Sequence, residues 1–262
     1  MSRVVAAIAR VSASELIRDR VLYNVLVVAV LLMAAGFGSS RLSFLSPGRV
    51  VLDFGMTGVQ LSGFILAALL GANLIPRERE RRTLLVVLAR PISYAEFILG
   101  KFLGLASVLT VNWMLISAFT FSLVYLGSDE RSWQALHPTF EWALFLSLIQ
   151  SLIVAALAIF LSVFSTVSLS VMISMGLYVL GSNAQYLRVL AEQSESGVTA
   201  FALRLGSHIV PNYDLFNLGL KVTYGLPIAT RALAASLVYG AATLFVLLGL
   251  SALLLQRTES TS

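Results

Sequence analysis

Side chains able to do acid–base, metal or nucleophilic chemistry are few in this chain and poorly placed for it. The two histidines, His137 and His208, stand far apart, whereas a metal site needs three or four donors converging on one point. Glu78 and Glu80 are spaced as a pair, but they alternate with Arg77, Arg79, Arg81 and Arg82, which suits ion pairing better than general acid–base work. Serines are plentiful in the apolar runs, yet no histidine accompanies one there to act as its base. Cysteine is absent, so thiolate nucleophiles, thiolate metal sites and disulfides are excluded. No glycine-rich loop followed by Lys and Ser or Thr is available to cradle phosphates. The sequence therefore reads as non-catalytic, with no catalytic, cofactor-binding or metal-binding residue assigned.

What the chain does carry is one charge-dense segment, 77–101, opening Pro76-Arg-Glu-Arg-Glu-Arg-Arg-Thr-Leu-Leu and closing on Gly100-Lys101. A link between two neighbouring helices needs only a handful of residues, so a segment this long, with an apolar block inside it, is built to be bound. Pro76 can end the preceding helix, Glu78 and Glu80 favour the first turn of a new one, and Pro91 stops it. The expected product is a short helix over 78–90, with Leu84, Leu85 and Leu88 on a docking face.

The elements that must position this segment follow from hydropathy. The chain has 262 residues, 58% of them hydrophobic and 12% charged, and a mean hydropathy of +0.89; soluble domains carry roughly 25% charge. The expected fold is an all-α membrane protein with six transmembrane helices. Uncharged runs support spans at 21–40, 54–76, 102–128 and 232–256, each long enough for a hydrocarbon core of about 30 Å. Trp142 to Leu187 is also uncharged and as one helix would reach roughly 69 Å, so it divides into spans at 142–163 and 168–187 with a turn among Ser162, Ser165, Thr166, Ser168 and Ser170. The intervening stretch, 188–231, is expected outside the cell, with Val198, Phe201, Leu205 and Ile209 forming one apolar helix face that ends at Pro211.

Six spans place both termini on one side. Arg3, Arg10, Arg18, Arg20, Arg77, Arg79, Arg81, Arg82, Arg90, Lys101 and Arg257 then share that side, against Arg41, Arg49, Arg131, Arg188, Arg204, Lys221 and Arg231 opposite. The excess assigns the termini and 77–101 to the cytoplasm. The formal charge of +5 is accounted for by these flanking residues, and no basic run is interleaved with aromatics as nucleic-acid binding requires. Residues 3–20 read as an amphipathic surface helix, with Val4, Val5, Ile8, Val11 and Leu16 on one arc. Glu15 and Asp19 break that arc, which suggests polar contacts with the arginine cluster.

The order Glu78, Glu80, Thr83, Leu84, Leu88, Pro91, Ile92, Ser93, Gly100, Lys101 resembles the first cytoplasmic loop of ABC-2 type transporter permeases. It departs at Arg82, where relatives often carry glycine, and at Tyr94, where a second basic residue is common. Ser14-Glu15-Leu16 before Arg18-Asp19-Arg20 is similar to the elbow helix of that family, and Ile209-Val-Pro-Asn-Tyr-Asp-Leu-Phe-Asn217 to the Pro-Asn element before its last span. The branch it looks most like includes permeases of nitrous-oxide-reductase maturation and of gliding machinery. The resemblance implies a single transmembrane domain over 1–262, acting as the permease of an exporter in a bacterial cytoplasmic (inner) membrane. It implies as partners the lipid bilayer, an ABC ATPase subunit in two copies and a second permease copy forming a homodimer. ATP and magnesium belong to the ATPase. The interface residues carried over are Glu78, Arg79, Glu80, Arg81, Arg82, Thr83, Leu84, Leu85, Leu88 and Pro91, with Glu15 and Arg18 on the elbow. From the residues alone, an ion-coupled carrier or channel and a membrane scaffold that recruits a cytoplasmic partner remain open. Gln60, Asn73, Asn112, Gln150 and Asn183 are the polar side chains inside the spans, suited to joining helices.

Overall fold

In a computed structural model of the chain, residues 2–40, 47–80, 92–127, 130–194, 197–224, 226 and 228–260 are described. Among them every regular element is helical. Helix α1 is Ser2–Ile17, α2 Arg20–Ser40, α3 Pro47–Asn73 and α4 the five residues Pro76–Glu80. Helix α5 is Tyr94–Gly127, α6 Glu130–Ser162 and α7 Val167–Ser182. There follow α8 (Ala184–Gln193), α9 (Gly197–Ile209), a 3-10 turn at Tyr213–Phe216, α10 (Gly219–Thr223) and α11 (Thr230–Ser260). Among the described residues five helical segments are long and apolar enough to cross a membrane, and a sixth crossing results if the bent pair α7 and α8 is one span.

Helices α3 and α6 form the centre of the bundle, packed against each other and mostly buried, while α2 and α11 lie on its outside. Lipid tails are as apolar as leucine side chains, so helices in a bilayer associate through close packing and hydrogen bonds. The α3–α6 contact uses small residues accordingly. A Cβ added at Gly63 would lie 2.2 Å from Ser151 Oγ, and one at Gly71 2.9 Å from Ala158 Cβ. A polar bond ties α5 to this pair: Trp113 on α5 donates its indole N–H to the Leu144 carbonyl of α6 at 2.7 Å.

Helix α5 begins eight residues before the uncharged run at 102–128 because Ser93 and Glu96 cap it. The Glu96 N–H donates to Ser93 Oγ at 3.2 Å and the Ser93 N–H donates to Glu96 Oε2 at 3.0 Å, a reciprocal arrangement written as Ser-x-x-Glu. The added turns carry α1. At Gly100 and Gly104, one turn apart on α5, an added Cβ would lie 2.7 Å from Ile8 Cβ and 2.6 Å from Ser12 Cβ. The stripe of α1 turned inward includes Val5, Ile8, Ser12 and Leu16; Val11, expected on that arc, is exposed.

Residues 168–187, expected as one straight span, are two helices: α7 ends at Ser182 and α8 leaves it at 67°. The Asn183 side chain donates to the Val179 carbonyl at 2.8 Å, and such local bonding competes with the helix ladder. The turn between α6 and α7 falls within Val163–Thr166. Helix α9 forms and ends before Pro211, but Val198 and Phe201 on its apolar face are 81% and 67% exposed. Residues 211–217 fold back into the bundle, burying Tyr213 and Phe216 completely. The Asn212 N–H donates to Tyr239 Oη at 2.9 Å, and Ser236 Oγ donates to the Leu215 carbonyl at 3.1 Å. Asp53, whose charge marked the expected edge of the second span, lies inside α3 and accepts from Thr223 Oγ1 at 2.5 Å.

Replacing Gly104 by leucine overpacks the α1–α5 contact and is expected to lower stability by about 1–3 kcal/mol, while making α1 more accessible to protease. Gly38→Leu, where nothing lies within 4 Å of the added Cβ, is expected to stay within about 0.5 kcal/mol of the parent. Thermal unfolding and limited proteolysis in detergent micelles check both.

Candidate functional site

Helix α4 gathers the charges at one end of the bundle, and three consecutive residues of it reach three different directions. Arg77 donates to Asp19 Oδ2 at 2.8 Å. Glu78 accepts from Lys101 Nζ in an ion pair whose side chains are 15% and 6% exposed. Arg79 donates to the Val163 carbonyl, just past α6, at 2.8 Å and to Thr258 Oγ1 on α11 at 3.4 Å. Five residues thereby connect the α1–α2 junction, α5, α6 and α11. Pro76 suits the first position of α4, where its missing N–H needs no partner, and Ile75 accepts from the Glu78 and Arg79 N–H groups at 3.1 and 3.2 Å.

Asp19 performs two tasks. Its Oδ1 accepts from the Val21 N–H at 3.1 Å, capping α2, while Oδ2 holds Arg77. Partial burial pushes its carboxyl upward, but the Val21 N–H and the Arg77 guanidinium outweigh that and leave its pKa below the ordinary aspartate value. A depressed carboxylate contributes stability at neutral pH and loses it as the pH falls through the lowered value. The link to α4 is therefore intact throughout the physiological range. The sequence reading that Asp19 meets the arginine cluster corresponds to this pair.

A cleft of about 220 Å³ opens beside these bonds, lined by Ser12, Glu15, Arg18, Asn73, Arg77 and Lys101 among others. Glu15 and Arg18, the two elbow residues singled out in the sequence, are exposed on its rim. Of the segment 77–101, Glu78 and Arg79 bond inward to the bundle, and Glu80 is exposed. Arg81, Arg82, Thr83, Leu84, Leu85, Leu88 and Pro91 lie outside the described residues. Sequence reasoning missed that Lys101 is buried within a helix as the partner of Glu78, and it missed the Arg79 bond to α11. The Ser93-x-x-Glu96 box was the available signal for the first, since it starts α5 early enough to enclose Lys101; no local signal foretells the second.

Among the described residues, a helical bundle with five helices, or six, long and apolar enough to cross a membrane and a charged layer at one end defines a multi-pass membrane protein. The family model described as ABC-2 family transporter protein matches residues 6–260, and the chain belongs to that family. It is thus a membrane-spanning subunit of an ABC transporter, a kind of subunit that normally works with an ABC ATPase. No curated protein matches the chain closely in sequence.

Removing one member of a buried ion pair leaves the other uncompensated, at a cost of about 3–5 kcal/mol, whereas replacing both by apolar residues is often neutral. Glu78→Leu alone, which strands the more buried Lys101, is therefore expected to destabilise the chain by that amount, and Glu78→Leu with Lys101→Met to recover most of it. A double-mutant cycle on thermal unfolding measures the coupling.

Proposed function

We propose that this chain is the permease of an ABC exporter, paired with a second copy of itself, and driven by two separate ATPase subunits that dock on the segment 77–101. The observation that carries the reading is the bonding of α4. It stands immediately before the apolar stretch Thr83–Leu88 and joins elements from both ends of the chain through Arg77, Glu78 and Arg79. A force applied to the following residues reaches α5, α6 and α11 together, and local closure of an attached subunit becomes a rigid-body movement of helices. Glu78 and Arg79 serve in this scheme by holding the base of the loop. Exposed Glu80, with Arg81, Arg82, Thr83, Leu84, Leu85, Leu88 and Pro91, supplies the docking face as a cytoplasmic coupling helix.

Helix α1 acts as the elbow that lies along the cytoplasmic membrane surface, with Glu15 and Arg18 beside the docked ATPase. Both termini lie in the cytoplasm of a bacterial cell, in keeping with the excess of arginine and lysine on that side. ATP and magnesium bind to the partner, since this sequence has no phosphate loop.

The test is co-purification with the ATPase expressed alongside. Leu84→Asp and Glu80→Arg are expected to reduce the bound ATPase at least about tenfold while the permease still inserts and keeps its melting temperature. Because the chain contains no cysteine, Glu80→Cys gives a single thiol, expected to react with impermeant maleimide from the cytoplasmic side. Normal ATPase retention by both loop variants, or labelling of that thiol from outside, overturns the proposal.

A further inference from the structure

The cleft beside α4 stands where lipid headgroups meet the bundle. Three uncharged runs have their limits on it: one opening at Val21, one closing at Pro76 and one opening at Phe102. Arg18, Arg77 and Lys101, all on the cleft wall, lie within three residues of those limits. The return of charge marks the edge of the hydrocarbon layer, so the cleft sits at headgroup depth. Its wall also includes the buried side chains of Leu16, Leu70 and Leu74. Val11 and Ile17, next in sequence to the lining residues Ser12 and Leu16, turn outward and are exposed, as contact with acyl chains requires.

The polar groups around the cleft are unequally committed. Arg77 holds Asp19 through Nη1, and its side chain is 43% exposed, so its other N–H donors can meet a further acceptor. Arg18 makes no side-chain bond among the described residues. It precedes Asp19 directly in the chain, so both guanidinium groups belong to residues adjoining one carboxylate. Ser12 Oγ, in a residue 2% exposed, has no hydrogen-bond partner, whereas buried polar atoms are nearly always paired. The carboxylates, by contrast, are engaged. Asp19 is held by Arg77 and Glu78 by Lys101, and Glu15 on the rim has a partner as well. The surplus is of donors, and it calls for an anion with several acceptor oxygens. Phosphate is such an anion, and guanidinium groups bind it bidentately. A choline or ethanolamine cap on that phosphate meets no uncommitted carboxylate here. The volume of about 220 Å³ is below the roughly 300–1,000 Å³ of pockets for drug-sized ligands; it suits a phosphate with a short glycerol arm and is small for a nucleotide.

We propose that this cleft binds the phosphate of an anionic phospholipid from the leaflet at the α4 end, held by Arg18 and Arg77 at the rim and by Ser12 within. Basic pockets between membrane helices are a recognised setting for such headgroups. A lipid bound there joins α1 to α4 alongside the Asp19–Arg77 bond. The proposal rests on the membrane-crossing character of the chain and not on the docking of an ATPase.

The test uses the full chain, purified without ATPase and delipidated in detergent micelles. Dioleoyl phosphatidylglycerol, dioleoyl phosphatidylcholine and inorganic phosphate are titrated in, and bound ligand is counted by native mass spectrometry. Phosphatidylglycerol is expected to occupy one site per chain at least about tenfold more tightly than phosphatidylcholine, and inorganic phosphate in large excess not to displace it. Loss of a charge-assisted bond in Arg18→Gln is expected to weaken that binding at least about fivefold, and Ser12→Ala to weaken it about threefold. Neither variant is expected to lower the melting temperature of the lipid-free chain, because neither side chain has a partner there to lose. Arg10 is exposed on the same helix, outside the cleft and about 12 Å along α1 from Arg18; Arg10→Gln is expected to change binding less than about twofold. Equal affinity for the two lipids, displacement by inorganic phosphate, undiminished binding to Arg18→Gln, or an equal loss in Arg10→Gln overturns the proposal. Since no ATPase takes part, these outcomes are separate from failure of the docking reading, which co-purification decides.

Discussion

A lysine and a glutamate withdrawn from water hold one end of this protein together. Each buried ion carries a desolvation cost of several kcal/mol, offset only while the two stay in contact. Lys101 sits at 5% exposure, so Glu78 is obliged to remain against α5, and α4 remains with it. The neighbours of Glu78 then have no freedom of direction. Arg77 faces the α1–α2 junction and Arg79 faces the ends of α6 and α11. The alternating charges of residues 77–79, which in sequence look like a solvated run, are an ordered set of bonds to separate helices.

Away from this end the bundle depends on close approach rather than on charge. Glycine, alanine and serine at Gly63, Gly71, Ser151 and Ala158 bring α3 and α6 together, and Gly100 with Gly104 does the same for α1 on α5. The contacts differ in consequence. The α3–α6 contact builds the core, whereas the α1–α5 contact seats a helix beside the charged layer, where it lines the same cleft as Arg77 and Lys101.

The helical class and five of the six expected crossings were legible because length and hydropathy answer directly to bilayer thickness; the sixth depends on whether the bent pair α7 and α8 is one span. Asp19 was legible as a partner of the arginines because a carboxylate on an apolar arc needs a reason to be there. Helix limits were less so: absence of charge marks where lipid begins, not where a helix begins, and Ser93 with Glu96 starts α5 well before the apolar run. The break at Asn183 was hidden inside an uncharged stretch, since an asparagine interrupts the backbone without altering hydropathy much. Contacts made by residues distant in sequence, such as Arg79 with Thr258, left no local pattern at all. The apolar face expected on α9 is present but uncovered at Val198 and Phe201, because periodicity reports that a face exists and not what lies against it.

The bend after Ser182 has a consequence for the lipid. Helix α7 has 16 residues and spans about 24 Å, short of the roughly 30 Å of an average hydrocarbon core. Where α7 crosses alone, such hydrophobic mismatch is accommodated by local thinning of the bilayer or by flanking polar side chains reaching out to the interface, at fractions of a kcal/mol per Å. The flank of the molecule formed by α7 thus works against membrane thickness in a way that the long helices α5 and α11 do not, and thinner bilayers favour its present geometry.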